Sequence, residues 1–407
     1  MAKYVFLNVP ARGHVNPTLA VAQELVRRGQ EVSYYLTEEF RAVVEATGAV
    51  FQPYESRLKD MPAMPSSFSG TGGMPTGRVG PAFMLEDMQY VPPQVIDRIR
   101  TEQPDAIVYD FMCVWAKTVI DELHVPALAT RATYASNEHF NLMEHMRARM
   151  QNMPGGREMM ERMRAYMEAQ GGGITNSLVS IFGAFSRAEP LNIIFMPREF
   201  QPAADTFDDR YLFVGPSILP RHEAPDFPLD RLSSERPLLY ISLGSIFTNQ
   251  PAFYKQCFAA FGDQSWQVVL SIGKQTDLAT LGQIPENFLL SPYVPQLEIL
   301  PRAQLFVTHA GTNSVMESMY FGVPMVLIPQ QPEQQLHAQR VVDMGLGVML
   351  EKETVNVTML REAVERIAHD PLYRERIQQM QQSVRAAGGY QRAVDAIMEF
   401  TRVRARS

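Results

Sequence analysis

Short apolar runs alternate with longer amphipathic stretches in the first half of the chain. Residues 4–9 are an apolar run, and Asn16-Pro17 then supplies a helix cap and a first-turn proline for an amphipathic stretch that stops at Gly29. This is the order strand, loop, helix. The further predicted strands of this half are 32–36, 106–111 and 127–130.

The same alternation restarts at Pro237. The predicted strands here are 238–243, 267–272, 305–308 and 325–328, with helices from Phe253, over 313–321 and near 334–344. Strands that alternate with helices are typical of parallel sheets covered on both faces. We therefore predict an α/β protein of two doubly wound, Rossmann-like domains that face a central cleft, because such sheets bind ligands beyond their carboxyl ends.

A proline-rich segment separates the two halves and suits an extended linker better than a packed element. With 407 residues the chain is also longer than one hydrophobic core usually serves. The predicted division is a first domain at 1–215, a linker at 216–236, a second domain at 237–387 and a C-terminal helix at 388–407.

Charge and composition exclude several classes of protein. A net charge of −7 disfavours a surface that follows nucleic-acid phosphates. The N-terminus lacks the pattern of a signal peptide, and no apolar run reaches the roughly 18 residues of a spanning helix, so we expect a cytoplasmic protein without a membrane anchor. No Asp-x-Asp triplet occurs, and we expect no metal and no cofactor.

The stretch after strand 305–308 has the composition of an anion site. An apolar strand runs into small polar residues and then a helix, whose first amides attract phosphate. A second small-residue turn, at Gly244-Ser245, follows the first strand of the same domain. Such turns often carry glycine and serine for geometry alone, and a lone histidine is usually structural. The residues predicted to hold a diphosphate and a ribose are Ser245, His309, Gly311, Thr312, Asn313, Ser314 and Glu317.

A candidate general base lies in the first half. Gly13-His14 follows the first strand, in the predicted loop before the helix, and histidine titrates near neutral pH. Asp110 ends the strand 106–109, at an edge that a doubly wound sheet brings alongside the first strand. A carboxylate there orients an imidazole and stabilises its cation. The alternative role of His14 is a hydrogen bond at the start of the helix.

These motifs resemble the nucleotide domain of the UDP-dependent glycosyltransferases of the GT-B fold, family 1, and within that family the bacterial macrolide and flavonoid enzymes. In the family an aromatic residue followed by x-Pro-Gln binds the nucleoside. The resemblance implies that Tyr293 stacks on uracil, that the Val294 backbone contacts the base edge and that Gln296 reaches the ribose. The resemblance also implies that Glu333 and Gln334 hold sugar hydroxyls.

The resemblance implies a function and one further element. His14 and Asp110 match the family's base and its partner, and the C-terminal helix crosses back onto the first domain. The implied reaction is an inverting, metal-independent transfer of a hexose from a UDP-sugar to a hydroxyl of an apolar small molecule such as a macrolide, flavonoid or other phenol. Glucose is the favoured hexose. The alternatives are a catalytically silent binding or auxiliary protein of the same fold and a UDP-sugar 2-epimerase.

Overall fold

The computed structural model describes residues 1–60, 80–152, 156–158, 160–161, 165, 188–220, 224, 226–244 and 248–404. Its contacts divide the chain into two compact units. Unit 1 comprises Met1–Leu219 together with Ala387–Ser407, and unit 2 comprises Pro220–Ala386. The chain thus leaves unit 1 inside the segment predicted as the linker, and it returns next to the predicted start of the C-terminal segment.

Unit 1 contains a parallel sheet of seven strands among the described residues, in the order β3-β2-β1-β4-β5-β6-β7. The strands are β1 (Lys3–Leu7), β2 (Glu31–Leu36), β3 (Val50–Pro53), β4 (Ala106–Asp110), β5 (Ala127–Arg131), β6 (Asn192–Ile194) and β7 (Tyr211–Phe213). The α-helices up to residue 152 are α1 (Arg12–Arg27), α2 (Arg41–Glu45), α3 (Gly80–Tyr90), α4 (Pro92–Glu102), α5 (Ala116–Leu123) and α6 (Leu142–Asn152).

The sheet of unit 1 is buried on both faces, which explains why its central strands are continuous apolar runs. Successive side chains of a strand point to opposite faces. In β1, Tyr4 and Phe6 belong to one buried apolar cluster, whereas Val5 and Leu7 belong to another. Each face therefore carries its own core.

Unit 2 contains a parallel sheet of six strands among the described residues, in the order β10-β9-β8-β11-β12-β13. The strands are β8 (Leu238–Ser242), β9 (Gln267–Ser271), β10 (Phe288–Ser291), β11 (Ala303–Thr308), β12 (Met325–Leu327) and β13 (Gly347–Met349). The helices are α7 (Pro251–Phe261), α8 (Gln296–Ile299), α9 (Thr312–Phe321), α10 (Pro332–Asp343), α11 (Val357–His369) and α12 (Pro371–Ala386).

Unit 2 repeats the two-faced burial of unit 1. Leu239 and Ile241 of β8 point into one apolar cluster, and Leu238 and Tyr240 point into another. The two sheets and the layers that cover them confirm the predicted fold class, a pair of doubly wound Rossmann-like units. In both sheets the strand order reverses beside the first strand, which is where ligands bind in this architecture.

The C-terminal helix, α13 (Gly389–Arg404), is part of unit 1. Ala393, Val394 and Ile397 are fully buried in the same apolar cluster as Tyr4 and Phe6 of β1, and the helix packs beside α1. The Gly389 amide donates to the Val214 carbonyl at 2.7 Å, and Arg28 pairs with Asp395. The helix is thus an integral layer of this unit.

Removing one methylene group from this layer should lower stability measurably. We expect Ile397→Val to reduce the free energy of unfolding by about 0.5–1.5 kcal/mol, because the site is fully buried. Val403 lies on the same helix with a relative exposure of 54%, so Val403→Ala is the matched control and should have little effect. Urea titrations of the three proteins measure both changes. Equal losses from the two variants would show that α13 is not packed as described.

Candidate active site

His14 lies within the first turn of α1, and the prediction that it sits in a loop before the helix is wrong. The helix begins at Arg12 because the Ala11 carbonyl already accepts the amides of His14 and Val15, at 2.9 and 3.0 Å. Pro17 is therefore inside the helix. The buried Asn8 side chain donates to the His14 carbonyl at 3.3 Å, and this bond fixes the turn that carries the imidazole.

The structure brings His14 and Asp110 into direct contact. Nδ1 of His14 lies 3.0 Å from Oδ2 of Asp110, and Oδ1 of the same carboxylate accepts the Met112 amide at 2.8 Å. The Asp110 side chain is 1% exposed at the carboxyl end of β4, whereas that of His14 is 24% exposed. A carboxylate only accepts hydrogen bonds, so Nδ1 carries the proton and Nε2 carries the basic lone pair. This is the arrangement of an oriented general base.

Two neighbours of this pair were not predicted from the sequence. The Phe111 ring lies 6.0 Å from the His14 ring, centroid to centroid, and the guanidinium carbon of Arg131 lies 5.0 Å from the centroid of Phe111. Burial lowers the pKa of Arg131, and the charge of Asp110 is among the groups that oppose this effect. The signal available in the sequence was Arg131, a basic residue directly after the predicted strand 127–130.

The contact predicts the effect of removing the carboxylate charge. We expect Asp110→Asn to lower kcat by roughly tenfold or more, but by less than loss of the imidazole, since an amide neither fixes the tautomer nor stabilises the imidazolium. Steady-state rates across pH measure the change. Wild-type turnover at every pH would show that the 3.0 Å contact has no part in activity.

In unit 2, the predicted nucleoside segment follows β10. Tyr293 is 39% exposed, while Val294 is buried, and the Ser291 hydroxyl donates to the Tyr293 carbonyl at 2.6 Å. The Lys274 ammonium lies 5.1 Å from the centroid of the Tyr293 ring. An exposed aromatic ring on a segment held in this way offers a face on which a planar base can stack. Lys274 was not predicted, because nothing local to it indicates this neighbour.

The two residues predicted to bind the ribose contact each other. Nε2 of Gln296 donates to Oε2 of Glu317 at 2.6 Å and lies 3.4 Å from the Ser314 hydroxyl. The Tyr240 hydroxyl donates to Oε1 of the same amide at 3.2 Å. Tyr240 therefore orients the Gln296 amide so that its NH₂ group faces Glu317. The carboxylate and the amide are held together at the carboxyl edge of the sheet.

His309 occupies a narrow space between two glycines. Ser242 and Thr308 pair in register, so the turns after β8 and β11 lie side by side. A Cβ atom on Gly244 would lie 2.6 Å from Nε2 of His309, and one on Gly311 would lie 2.4 Å from it. Glycine is therefore required at both positions so that the backbone can lie this close to the His309 ring. This requirement comes from the available space and does not depend on the φ angle of either residue.

Burial makes His309 a neutral group at neutral pH. It lowers the pKa of His309 to about 4, the nearby His337 acts in the same direction, and the Ser242 carbonyl opposes them. A diphosphate at this turn would thus meet a neutral imidazole and, beside it, the positive end of α9, whose first amides are those of Thr312, Asn313 and Ser314. The predicted Ser245 lies outside the described residues.

Glu333 and Gln334 lie in the first turn of α10, after β12. Strand β12 pairs with β11, so this turn lies at the same sheet edge as residues 309–314, the predicted diphosphate turn. Oε1 of Gln334 accepts the Gln330 amide at 2.8 Å, which directs the rest of the side-chain amide away from that loop.

In the ranges given above, no three His, Cys, Asp or Glu side chains are grouped as metal ligands. Every helix in those ranges is too short or too polar to cross a lipid bilayer.

Comparison with known proteins places this geometry in a family. Residues 255–399 match the family model of the erythromycin biosynthesis protein CIII-like C-terminal domain. NDP-glycosyltransferase YjiC of Bacillus subtilis is 40% identical over 98% of both chains. The chain belongs to the family 1 glycosyltransferases. An uncharacterized UDP-glucosyltransferase of the same organism, YojK, is 34% identical to this glycosyltransferase over 100% of its length and 99% of the relative.

A solved structure agrees with this assignment. The calicheamicin glycosyltransferase CalG4 superposes on this glycosyltransferase with a TM-score of 0.80 and 30% identity, over 98% of both chains. The predicted family and the GT-B fold are thereby confirmed. The structure and these matches leave the roles of individual residues in the glycosyltransferase as predictions.

Proposed function

We propose that this glycosyltransferase transfers a hexose from a UDP-sugar to a hydroxyl group of an apolar small molecule, with inversion at the anomeric carbon. Glucose is the favoured hexose. The 3.0 Å contact between His14 and Asp110 carries the proposal, because an oriented neutral imidazole is the group that such a transfer requires. Related proteins support it. The uncharacterized UDP-glucosyltransferase YojK supports the sugar. The erythromycin biosynthesis family and the calicheamicin glycosyltransferase support a natural-product acceptor, such as a macrolide, flavonoid or other phenol.

In the proposed reaction, Nε2 of His14 takes the proton of the acceptor hydroxyl. The hydroxyl oxygen forms a bond to the anomeric carbon while the bond from that carbon to the diphosphate oxygen breaks, and UDP leaves from the opposite face. Asp110 stabilises the imidazolium formed on proton uptake. Attack opposite to the leaving group inverts the anomeric configuration.

Unit 2 would stabilise the negative charge that develops on the leaving UDP. The first amides of α9 present N–H groups and the positive end of the helix, and His309 lies beside them. Gln296 and Glu317 would hold the ribose, Tyr293 would stack on uracil with the Val294 backbone at the base edge, and Glu333 with Gln334 would hold the sugar hydroxyls.

Incubation with UDP-glucose and a panel of phenols and macrolides tests the proposal. We expect an acceptor mass increased by one hexosyl group and a β-linked product as shown by proton NMR. His14→Ala should form this product at least roughly a hundredfold more slowly. Parallel reactions with dTDP-glucose measure the preference for uracil. UDP binding without transfer to any acceptor would favour a catalytically silent binding protein, and an α-linked product would exclude inversion.

Chelation tests the metal-free part of the proposal. Because protein N–H groups are proposed to stabilise the leaving diphosphate, we expect kcat to be unchanged, within about twofold, after dialysis against EDTA. Added Mg²⁺ should likewise have no effect. A loss of turnover with EDTA that Mg²⁺ restores would show that a cation binds the diphosphate.

A further inference from the structure

His337 is a buried histidine that contacts the diphosphate turn from a neighbouring helix. It lies on α10, one turn after Glu333 and Gln334, and is 1% exposed. Nδ1 of His337 lies 3.3 Å from the Ala310 carbonyl, and Nε2 lies 3.5 Å from the Thr312 hydroxyl. The imidazole therefore touches the turn on both sides of Gly311.

The residue that His337 contacts has an unusual backbone conformation. Ala310 has a φ of +64°, in the left-handed region that residues with a Cβ atom avoid, and its side chain is fully buried. It stands between His309 and Gly311, so its conformation decides where the His309 ring and the first amides of α9 point. Such a conformation persists only when surrounding contacts hold it.

The contacts of His337 fix its tautomer. A carbonyl only accepts hydrogen bonds, so Nδ1 carries the proton that is donated to Ala310. Burial lowers the pKa of His337, while Glu333 and the Ala310 carbonyl oppose this effect, and the ring is neutral at neutral pH. Its Nε2 therefore accepts a hydrogen bond from the Thr312 hydroxyl. Thr312 is left to offer a ligand its backbone amide.

We propose that His337 is a positioning residue for the nucleotide-sugar: its Nδ1–H group holds Ala310 in the left-handed conformation and thereby sets His309 and the α9 amides for a diphosphate. The inference rests on the proposed function, since it assumes that a nucleoside diphosphate binds at this turn. His337 itself touches no ligand in this account. It couples the turn that bears Glu333 and Gln334 to the turn that bears His309.

Two substitutions at His337 distinguish the roles of the two ring nitrogens. Asn places its amide NH₂ near the position of Nδ1, whereas Gln reaches the position of Nε2 and leaves the Ala310 carbonyl without this donor. We expect His337→Asn to bind UDP like the wild type. His337→Gln should raise the Kd for UDP about tenfold, the value expected if one molecule in ten keeps the competent turn.

A second-site change tests the role of Ala310. Glycine adopts the left-handed conformation without help, so Ala310→Gly should restore UDP affinity in the His337→Gln background to within about threefold of the wild type. Isothermal titration with UDP measures Kd without requiring turnover. Melting temperatures of all variants are measured alongside, and if His337→Gln does not fold, recovery of folding by Ala310→Gly becomes the readout.

Each outcome has one meaning. If His337→Gln binds UDP as tightly as the wild type, or if Ala310→Gly restores neither affinity nor folding, the positioning role is wrong while the proposed function stands. If wild-type protein does not bind UDP at all, the proposed function fails, and this inference fails with it.

Discussion

Replacing His14 with alanine should reduce kcat for transfer by roughly 10²–10⁴-fold, the contribution of a well-placed general base. The same variant should bind UDP with wild-type affinity, because His14 belongs to unit 1 and the predicted nucleotide residues belong to unit 2. The loss should therefore appear in the chemical step.

His369→Ala is the matched control for this experiment. His369 is an exposed histidine of α11 whose Nδ1 lies 2.8 Å from the Glu365 carbonyl of its own helix, so its removal should leave kcat and UDP affinity unchanged. Single-turnover rates and UDP titrations of both variants separate chemistry from binding. Unchanged turnover in His14→Ala would remove the base assignment, and a parallel loss of UDP affinity would show that the residue acts outside the proton transfer.

The central strands of both sheets could be predicted from the sequence because burial on two faces leaves a continuous apolar run. Strands β1 and β4, and β8 and β11 in unit 2, fall within the predicted ranges or extend them by a few residues. The strands β3, β6, β7, β10 and β13 were missed. Each is only three or four residues long, so it leaves only a short pattern in the sequence. The first residue of β3, Val50, is in addition 58% exposed.

In the candidate site, the sequence predicts the residues that are neighbours along the chain but not those that come from distant segments. His309, Gly311 and Glu317 are close in sequence, so one strand, turn and helix predict where they lie. Tyr240 and His337 reach the site from a neighbouring strand and helix, and only the three-dimensional structure shows that they do. A tyrosine in an apolar strand and a histidine on an amphipathic helix are ordinary core residues in a single sequence.

Gly311→Ala should raise the Kd for UDP roughly 10- to 100-fold, which corresponds to about 1.4–2.8 kcal/mol and lies within the usual cost of overpacking. The backbone itself does not require glycine here, since its φ is −63° and its ψ is 144°. The cost arises because the new Cβ would lie 2.4 Å from Nε2 of His309 and 2.9 Å from its Cε1. The ring must move, and the turn that is proposed to bind the diphosphate must move with it.

A double-mutant cycle with His309→Ala shows whether this clash is the cause. Removing the imidazole removes the atoms that the new Cβ would meet, so Gly311→Ala should cost less than about threefold in UDP affinity in that background. His309→Ala alone gives the loss due to the imidazole, and the cycle subtracts it. A full 10- to 100-fold cost in both backgrounds would show that the new Cβ meets the ligand and not the His309 ring. Glycine would then be needed because the ligand approaches the backbone closely.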